Sequence, residues 1–171
     1  MKGPGGIEWP EPALTITVRG VPGPQGSKTH VGGGRMIESS AKVKPWRECV
    51  AWMAIQARQK ARGRTITGPV ALAVTFSLER PRSHYGNGRN TATVLRPSAP
   101  ARPDRKPDVS KLIRSTEDAL TTALVYRDDA LVVEYWRLGK YYVSDYGQVF
   151  DVLDTPGAVI RVWPLGEGGA R

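Results

Sequence analysis

The sequence predicts a single α+β domain, α/β-like in the alternation of its elements, with a mixed β-sheet packed against two main helices. Three observations carry that reading. Two stretches repeat apolar residues at three- and four-residue spacing, the period of a helix with one buried face. Others alternate or run apolar over short spans bounded by turn residues, as strands do. The two kinds follow one another in the order β-α-β-loop-α-β with further strand pattern behind, and no internal repeat is visible. At 171 residues the chain is one domain's worth and long enough to bury a core without disulfides or metals to staple it.

Residues 1–12 hold three Gly and three Pro and read as a flexible lead-in to a domain spanning 13–163, with 164–171 a polar tail. Leu14, Ile16 and Val18 alternate with Thr15, Thr17 and Arg19, a half-buried strand. Gly20 to Arg35 is a long Gly/Pro-rich loop. From Val43 a helix begins, with Trp46, Cys49, Val50, Met53, Ala54 and Ala57 on one stripe and Gly63 as its stop. Gly68-Pro69 marks a turn into a strand from Val70 to Leu78. Its large residues (Val70, Leu72, Val74, Phe76, Leu78) share one face, and Ala71, Ala73 and Thr75 leave room for something to pack on the other.

Arg80 to Lys106 lacks periodicity and carries seven Arg or Lys against one acid, Asp104. A structureless loop this long inside a small domain is functional or disordered, and its charge makes it a candidate nucleic-acid-binding arm. Asp108 to Thr122 is the second helix, with Asp108 placed to cap it. Leu112, Ile113, Thr116, Ala119 and Leu120 form its buried face, and Lys111, Arg114, Ser115 and Asp118 its polar face. Tyr126 to Asp129 links to a strand from Ala130 to Tyr142, bent or bulged. Tyr146 to Asp154 fits a short strand or a helical turn equally. Ala158 to Trp163 is the final strand.

Charge narrows the function classes. The chain has 25 Lys and Arg against 16 Asp and Glu, a net +9, which predicts anionic partners and chiefly nucleic acid. No uninterrupted apolar run, Val70 to Val74 included, is long enough to span a membrane. No secretory leader is visible at the N-terminus, and the lone Cys49 can close no intrachain disulfide and fits core packing; the expected setting is reducing and cytoplasmic. Gly26-Ser27-Lys28-Thr29 falls short of a P-loop, and Pro22 and Pro24 remove donors a phosphate cradle needs. His30 and His84 have no carboxylate at ligand spacing and read as solvated loop residues.

The acids are unevenly placed. Asp104, Asp108, Glu117, Asp118, Asp128, Asp129 and Glu134 fall in one stretch of a very basic chain. The link after the second helix is long enough to bring Asp128 and Asp129 back towards Asp108, whereas Asp118 lies about 15 Å along the helix from it. Such a cluster suits Mg²⁺, which takes one or two carboxylates, waters and substrate phosphate, and supports phosphodiester hydrolysis. Arg114 is a candidate cation for the transition state. The same residues equally make a helix cap (Asp108), a turn pair (Asp128, Asp129) and surface ion pairs (Lys111 or Arg114 with Asp118).

The stretch Lys106-Pro-Asp-Val-Ser-Lys-Leu-Ile-Arg-Ser-Thr-Glu-Asp-Ala-Leu120, followed by Tyr126-Arg-Asp-Asp-Ala-Leu-Val-Val133 and a strand ending at Lys140, resembles the RusA family of Holliday junction resolvases. Gly23-Pro-Gln-Gly-Ser-Lys-Thr-His30, Gly33-Gly-Arg35 and Lys44-Pro-Trp-Arg47 look like the N-terminal signature of its phage members. The resemblance covers roughly residues 13 to 162 and implies a RusA-like fold and a Mg²⁺-dependent endonuclease, with Mn²⁺ as a possible substitute. It implies a homodimer making paired symmetric nicks in branched DNA during recombination and repair, in a bacterial cytoplasm and of phage or prophage origin. Asp108 takes the first catalytic aspartate, Asp129 with Asp128 the downstream one, and all three are the expected metal ligands. Arg114 stands where the family has a catalytic lysine, and Asp118 falls on a structural aspartate. Ser110 replaces the second catalytic aspartate and Lys111 the asparagine after it; a hydroxyl is a poor Mg²⁺ ligand beside a carboxylate. That departure sets an alternative beside the nuclease, a branched-DNA-binding protein of the same fold with weak or no cutting. Lys28, Arg35, Lys44, Arg80, Arg82, Arg89, Arg105, Lys106 and Lys111 are the expected backbone-gripping cations. Tyr135, Trp136 and Tyr141 are candidates for the dimer seam or for core packing.

Overall fold

Strand β1 (Leu14–Arg19) opens the main sheet of this computed structural model, which describes residues 6, 8–26, 28–30, 36–38, 41–89 and 92–166. A short antiparallel pair follows, β2 (Lys28–His30) within the segment expected to be one loop up to Arg35 and β3 (Met36–Glu38) just past it. Then come α1 (Val43–Lys60), β4 (Val70–Leu78), α2 (Val109–Thr122), β5 (Val132–Tyr142) and β6 (Gly157–Pro164). The sheet order is β1-β6-β4-β5. β6 runs antiparallel to both neighbours, and β4 and β5 run parallel. The architecture is the mixed-sheet, two-helix α+β domain that the patterning predicts. Among the described residues no helix is long and apolar enough to cross a membrane.

The central strand explains the layering. β4 is paired on both sides and buried from Val70 to Ser77, so it reads as an almost unbroken apolar run. Its large residues join Ile16 and Val18 of β1, Ile160 and Val162 of β6, Trp46 and Val50 of α1, and Leu112 and Leu120 of α2 in one core. Each fully buried aliphatic side chain there contributes about 1.5–3 kcal/mol. The buried indole of Trp46 donates to Thr116 Oγ1 at 3.1 Å, tying α1 to α2.

The other face of β4 carries Ala71 and Ala73, and their small size is matched by large partners. Trp9, Trp136, Phe150 and Trp163 pack there as a second cluster, with Trp136 and Trp163 centroids 4.5 Å apart. Trp9 is only 8% exposed, and Trp163 Nε1 donates to the Pro10 carbonyl at 2.9 Å. The expectation of a loose lead-in through Pro12 therefore fails for Trp9 and Pro10, because the sheet face needs an aromatic cover. Trp136, too, is committed to this cluster.

Three other expectations change. Ser115, placed on the polar face of α2, is fully buried and donates to the Gly23 carbonyl at 2.6 Å. A Cβ at Gly23 would sit 2.2 Å from the Lys42 carbonyl oxygen, so only glycine lets this loop pass between the two helices. The 146–154 segment is neither strand nor helix; a 3-10 turn at Val143–Asp145 leads into it, and Asp151 binds Arg161 through both carboxylate oxygens at 2.7 and 2.8 Å. The long basic loop is partly built, with a 3-10 turn at Arg82–His84 and a Tyr85–Leu95 bridge.

Candidate active site

Asp108 stands where Pro107 ends the basic loop and α2 begins. Its backbone is extended, as an N-cap requires, but its side chain accepts no hydrogen bond from the first turn. The carboxylate is half-exposed and meets Lys111 Nζ at 3.4 Å. The cap expected of Asp108 is thus one of position only, and most of its lone pairs stay available to a ligand. Lys111, expected on DNA or against Asp118, is its partner.

The approach to Asp108 is fixed from the sheet. Lys140 of β5 sends its ammonium to the Arg105 carbonyl at 2.6 Å and to the Pro107 carbonyl at 2.8 Å. Ammonium-to-carbonyl bonds are stronger than neutral ones, so the end of the loop is latched to β5 one residue before the aspartate. From the sequence Lys140 is only a strand end; a lysine within a partly buried strand is the clue to it.

Asp128 and Asp129 sit at the turn into β5. Asp128 caps that turn, its Oδ1 accepting from Ala130 N at 2.8 Å. Asp129 is exposed and acts electrostatically on Glu117 of α2. Glu117 lies nine residues beyond Asp108, about 13.5 Å along the helix axis. Its pKa is raised above the ordinary carboxylate value, first by burial and then by the charges of Asp129 and Asp118, against the lowering effect of a hydrogen bond from Tyr135. That bond runs from Tyr135 Oη to Glu117 Oε1. Burial and Glu117 together push the Tyr135 phenol up, so it stays protonated and serves as a donor. Tyr135 is a candidate for the dimer seam from sequence; its hydroxyl donates to this carboxylate.

Among the described residues, no three His, Cys, Asp or Glu side chains come close enough together to hold one metal ion. The expected set of Asp108, Asp128 and Asp129 is therefore not gathered into a single cage; Asp128 Oδ1 accepts from Ala130 N, and the charge of Asp129 acts on Glu117. The donor chemistry still fits a hard cation. Mg²⁺ binds through one or two carboxylates with water and substrate phosphate, and Asp108 and Asp129 are exposed oxygen donors of that kind. Arg114 is exposed and makes no hydrogen bond or ion pair among the described residues. Asp118 pairs with Arg47 of α1 at 3.3 Å, a tie between the helices.

The expected DNA-gripping cations divide. Arg80 is 6% exposed, stacks 3.8 Å over the Tyr142 ring and donates to the Pro100 carbonyl at 2.8 Å. It holds the loop to the sheet, its guanidinium buried rather than turned to solvent as a DNA contact expects. Arg82 is exposed but bonds the Ala92 carbonyl. Lys44 is 86% exposed, with only a long i,i+4 contact to Glu48 at 3.9 Å. Arg89, Arg105 and Lys106 are exposed. Arg35 and the side chain of Lys28 lie outside the described residues. His84 is no free loop residue, since its ring meets Tyr142 edge-on at 5.9 Å.

The family profile of endodeoxyribonuclease RusA matches residues 18–149, more than three-quarters of the chain. The chain belongs to the RusA family. Its members are endodeoxyribonucleases of the crossover-junction class, and this protein is such an enzyme. No curated protein matches the sequence. The RusA match encloses both helices, β4, β5 and every carboxylate of the candidate site, whereas β6, central to the sheet, lies beyond it.

Proposed function

We propose that this RusA-family endodeoxyribonuclease resolves four-way DNA junctions by metal-dependent phosphodiester hydrolysis, as a homodimer making paired symmetric nicks in recombination and repair. The family match over residues 18–149 carries the reading. The uncapped, half-exposed carboxylate of Asp108 within a net charge of +9 supports it.

Asp108 would be the first carboxylate ligand of a hard divalent cation, Mg²⁺ or in its place Mn²⁺, with water and substrate phosphate filling most of its other positions and Asp129 or Asp128 drawn in only on binding. Such an ion when bound lowers the pKa of an attacking water and neutralises charge on the scissile phosphate. Arg114 faces solvent on α2 two turns beyond Asp108 and is placed to offset negative charge as it builds on the phosphate. Lys111 orients the Asp108 carboxylate across their 3.4 Å contact, and Lys140 fixes the backbone that carries it. Arg105 and Lys106 grip the DNA backbone on the approach to Asp108, and Arg89 and Lys44 extend the basic surface. Selection of branched over linear DNA then rests on shape and phosphate spacing. A two-fold dimer matches a near two-fold junction, one active site for each nick.

The test is cleavage of an end-labelled four-way junction and of a linear duplex of the same sequence, with Mg²⁺ and with EDTA, beside Asp108→Asn. Symmetric Mg²⁺-dependent nicks in the junction alone, lost at least 10²-fold in the variant, are expected. Ser110, where the family carries an aspartate, favours one second reading, a junction binder that cuts poorly. Tight binding without nicks, together with gain of cutting in Ser110→Asp, would establish that reading instead.

A further inference from the structure

At the C-terminal ends of the parallel pair β4 and β5, beside Leu78 and Tyr142, a cleft of about 410 Å³ opens next to the segment leading into Asp108. Crevices at such strand ends are where sheets with parallel strands bind ligands, and this volume lies in the range of small-molecule sites, about 300–1,000 Å³. A DNA duplex cannot enter it, but a single nucleobase can. Its walls are unusual in chemistry. Pro22, Pro24, Pro81, Pro103 and Pro107 all line it. Proline has no N–H, so the walls are rigid, apolar and poor in the backbone donors that an anion nest needs.

Charge sits beside these walls. Lys42, Arg105 and Lys106 also line the cleft, cations suited to a phosphodiester running past its mouth. Glu79 and Asp104 line it too, acceptors for the N–H edge of a base. His84 lines it with Nδ1 buried and without a hydrogen-bond partner among the described residues, a polar atom that the chain itself leaves unsatisfied. The Tyr142 ring beside it carries the Arg80 guanidinium at 3.8 Å and meets the His84 ring at right angles, centroids 5.9 Å apart.

We infer that this proline-walled cleft receives one unstacked nucleotide of the DNA, drawn out beside the strand presented to Asp108. The inference rests on the junction reading above and deepens it. Bases at a branch point have lost part of their stacking, and extrusion costs least for a base that is already poorly stacked. A linear duplex must break a full stack to fill the same cleft. The cleft therefore makes the enzyme's preference for branched DNA partly a preference for an extrudable base, in addition to backbone shape.

The experiment uses junctions carrying 2-aminopurine at successive positions flanking the crossover, bound in EDTA so that nothing is cut. Against proline walls the probe has no base to stack on, so its fluorescence should rise several-fold at one or two positions and stay flat elsewhere. Val21, 57% exposed and on the cleft wall, is the place to block it. Val21→Trp should abolish the rise while gel-shift affinity for the junction falls only modestly, because the phosphate contacts remain. His84→Ala, which removes the unpartnered nitrogen, should weaken the rise and serves as the second variant if Val21→Trp does not fold. Tight junction binding with the probe quenched at every position would overturn the cleft proposal and leave the resolvase reading standing. A rise that persists unchanged in both variants would overturn it as well. A linear duplex with one bulged 2-aminopurine decides the cleft independently: loss of junction preference with a Val21→Trp-sensitive rise on the bulge would sink the resolvase reading alone.

Discussion

At the scale of single residues, the site is governed by which carboxylates are already spent. Asp128 is used by its own turn and Asp118 by Arg47, whereas Asp108 keeps a carboxylate that no backbone N–H engages. Glu117 has the opposite character. It is half-buried beside Asp129 and Asp118, and its pKa in the fold is raised. A carboxyl with a raised folded pKa is protonated in both states well below its unfolded value, where it costs nothing. As pH climbs through the window from the unfolded to the folded pKa, the native state holds the extra proton and stability falls. Glu117→Gln should remove that penalty while keeping an acceptor for Tyr135. Melting followed in EDTA from pH 3 to pH 8 should show variant and wild type differing little at the acid end. The variant should melt higher than wild type near neutrality, the gap opening as pH rises. A constant offset across pH would assign Glu117 a packing role only. The type and order of the acids were legible in the sequence. Their commitments were not, because a hydrogen bond such as Asp128 to Ala130 depends on turn geometry that residue spacing does not encode.

At the scale of elements, the useful coupling runs from β5 to the start of α2. Lys140 holds the Arg105 and Pro107 carbonyls, so the position of Asp108 is set by the sheet as well as by its own helix. Lys140→Met keeps the length of the side chain and removes both bonds. It should lower kcat about 10²-fold, the penalty of misplacing a reacting group by roughly 1 Å, with junction affinity in EDTA within a few-fold of wild type. Lys140→Arg, which still donates, should recover part of the rate; equal loss of binding and rate would make the residue merely structural. The second coupling is on the opposite face, where Trp9 covers Ala71 and Ala73 together with Trp163. Trp9→Ala should destabilise the fold by about 3–5 kcal/mol in urea titration, as expected for a buried tryptophan. The helices and long strands were readable because their apolar period is long and clean. The small face of β4 announced that something covers it, but the cover comes from a Pro/Gly-rich segment distant in sequence. The β2–β3 pair was missed because strands of three residues are too short to show a period.

At the scale of the whole molecule, a net charge of +9 says that the protein binds anions but not which cations do it. The fold sorts them. Arg80 is consumed inside, Arg161 is paired with Asp151, and Arg47 with Asp118. Arg105 and Lys106 stay exposed on the approach to Asp108. Phosphate contacts release counterions, so each one contributes about 0.9 to the slope of log affinity against log salt on B-form DNA. Arg105→Ala and Lys106→Ala should therefore each lower the junction-binding slope by about one unit, weakening linear duplex in the same proportion, since backbone contacts carry no sequence information. Arg80→Ala should leave the slope unchanged and instead lower the melting temperature, because it strips the Tyr142 ring of its cation and leaves the Pro100 carbonyl without its donor. Binding isotherms from 50 to 300 mM salt on the three variants separate the two kinds of arginine. If Arg80→Ala lowered the slope as Arg105→Ala does, the basic loop would have to open on DNA and release its buried guanidinium, and the sorting of cations seen in the free protein would not survive binding.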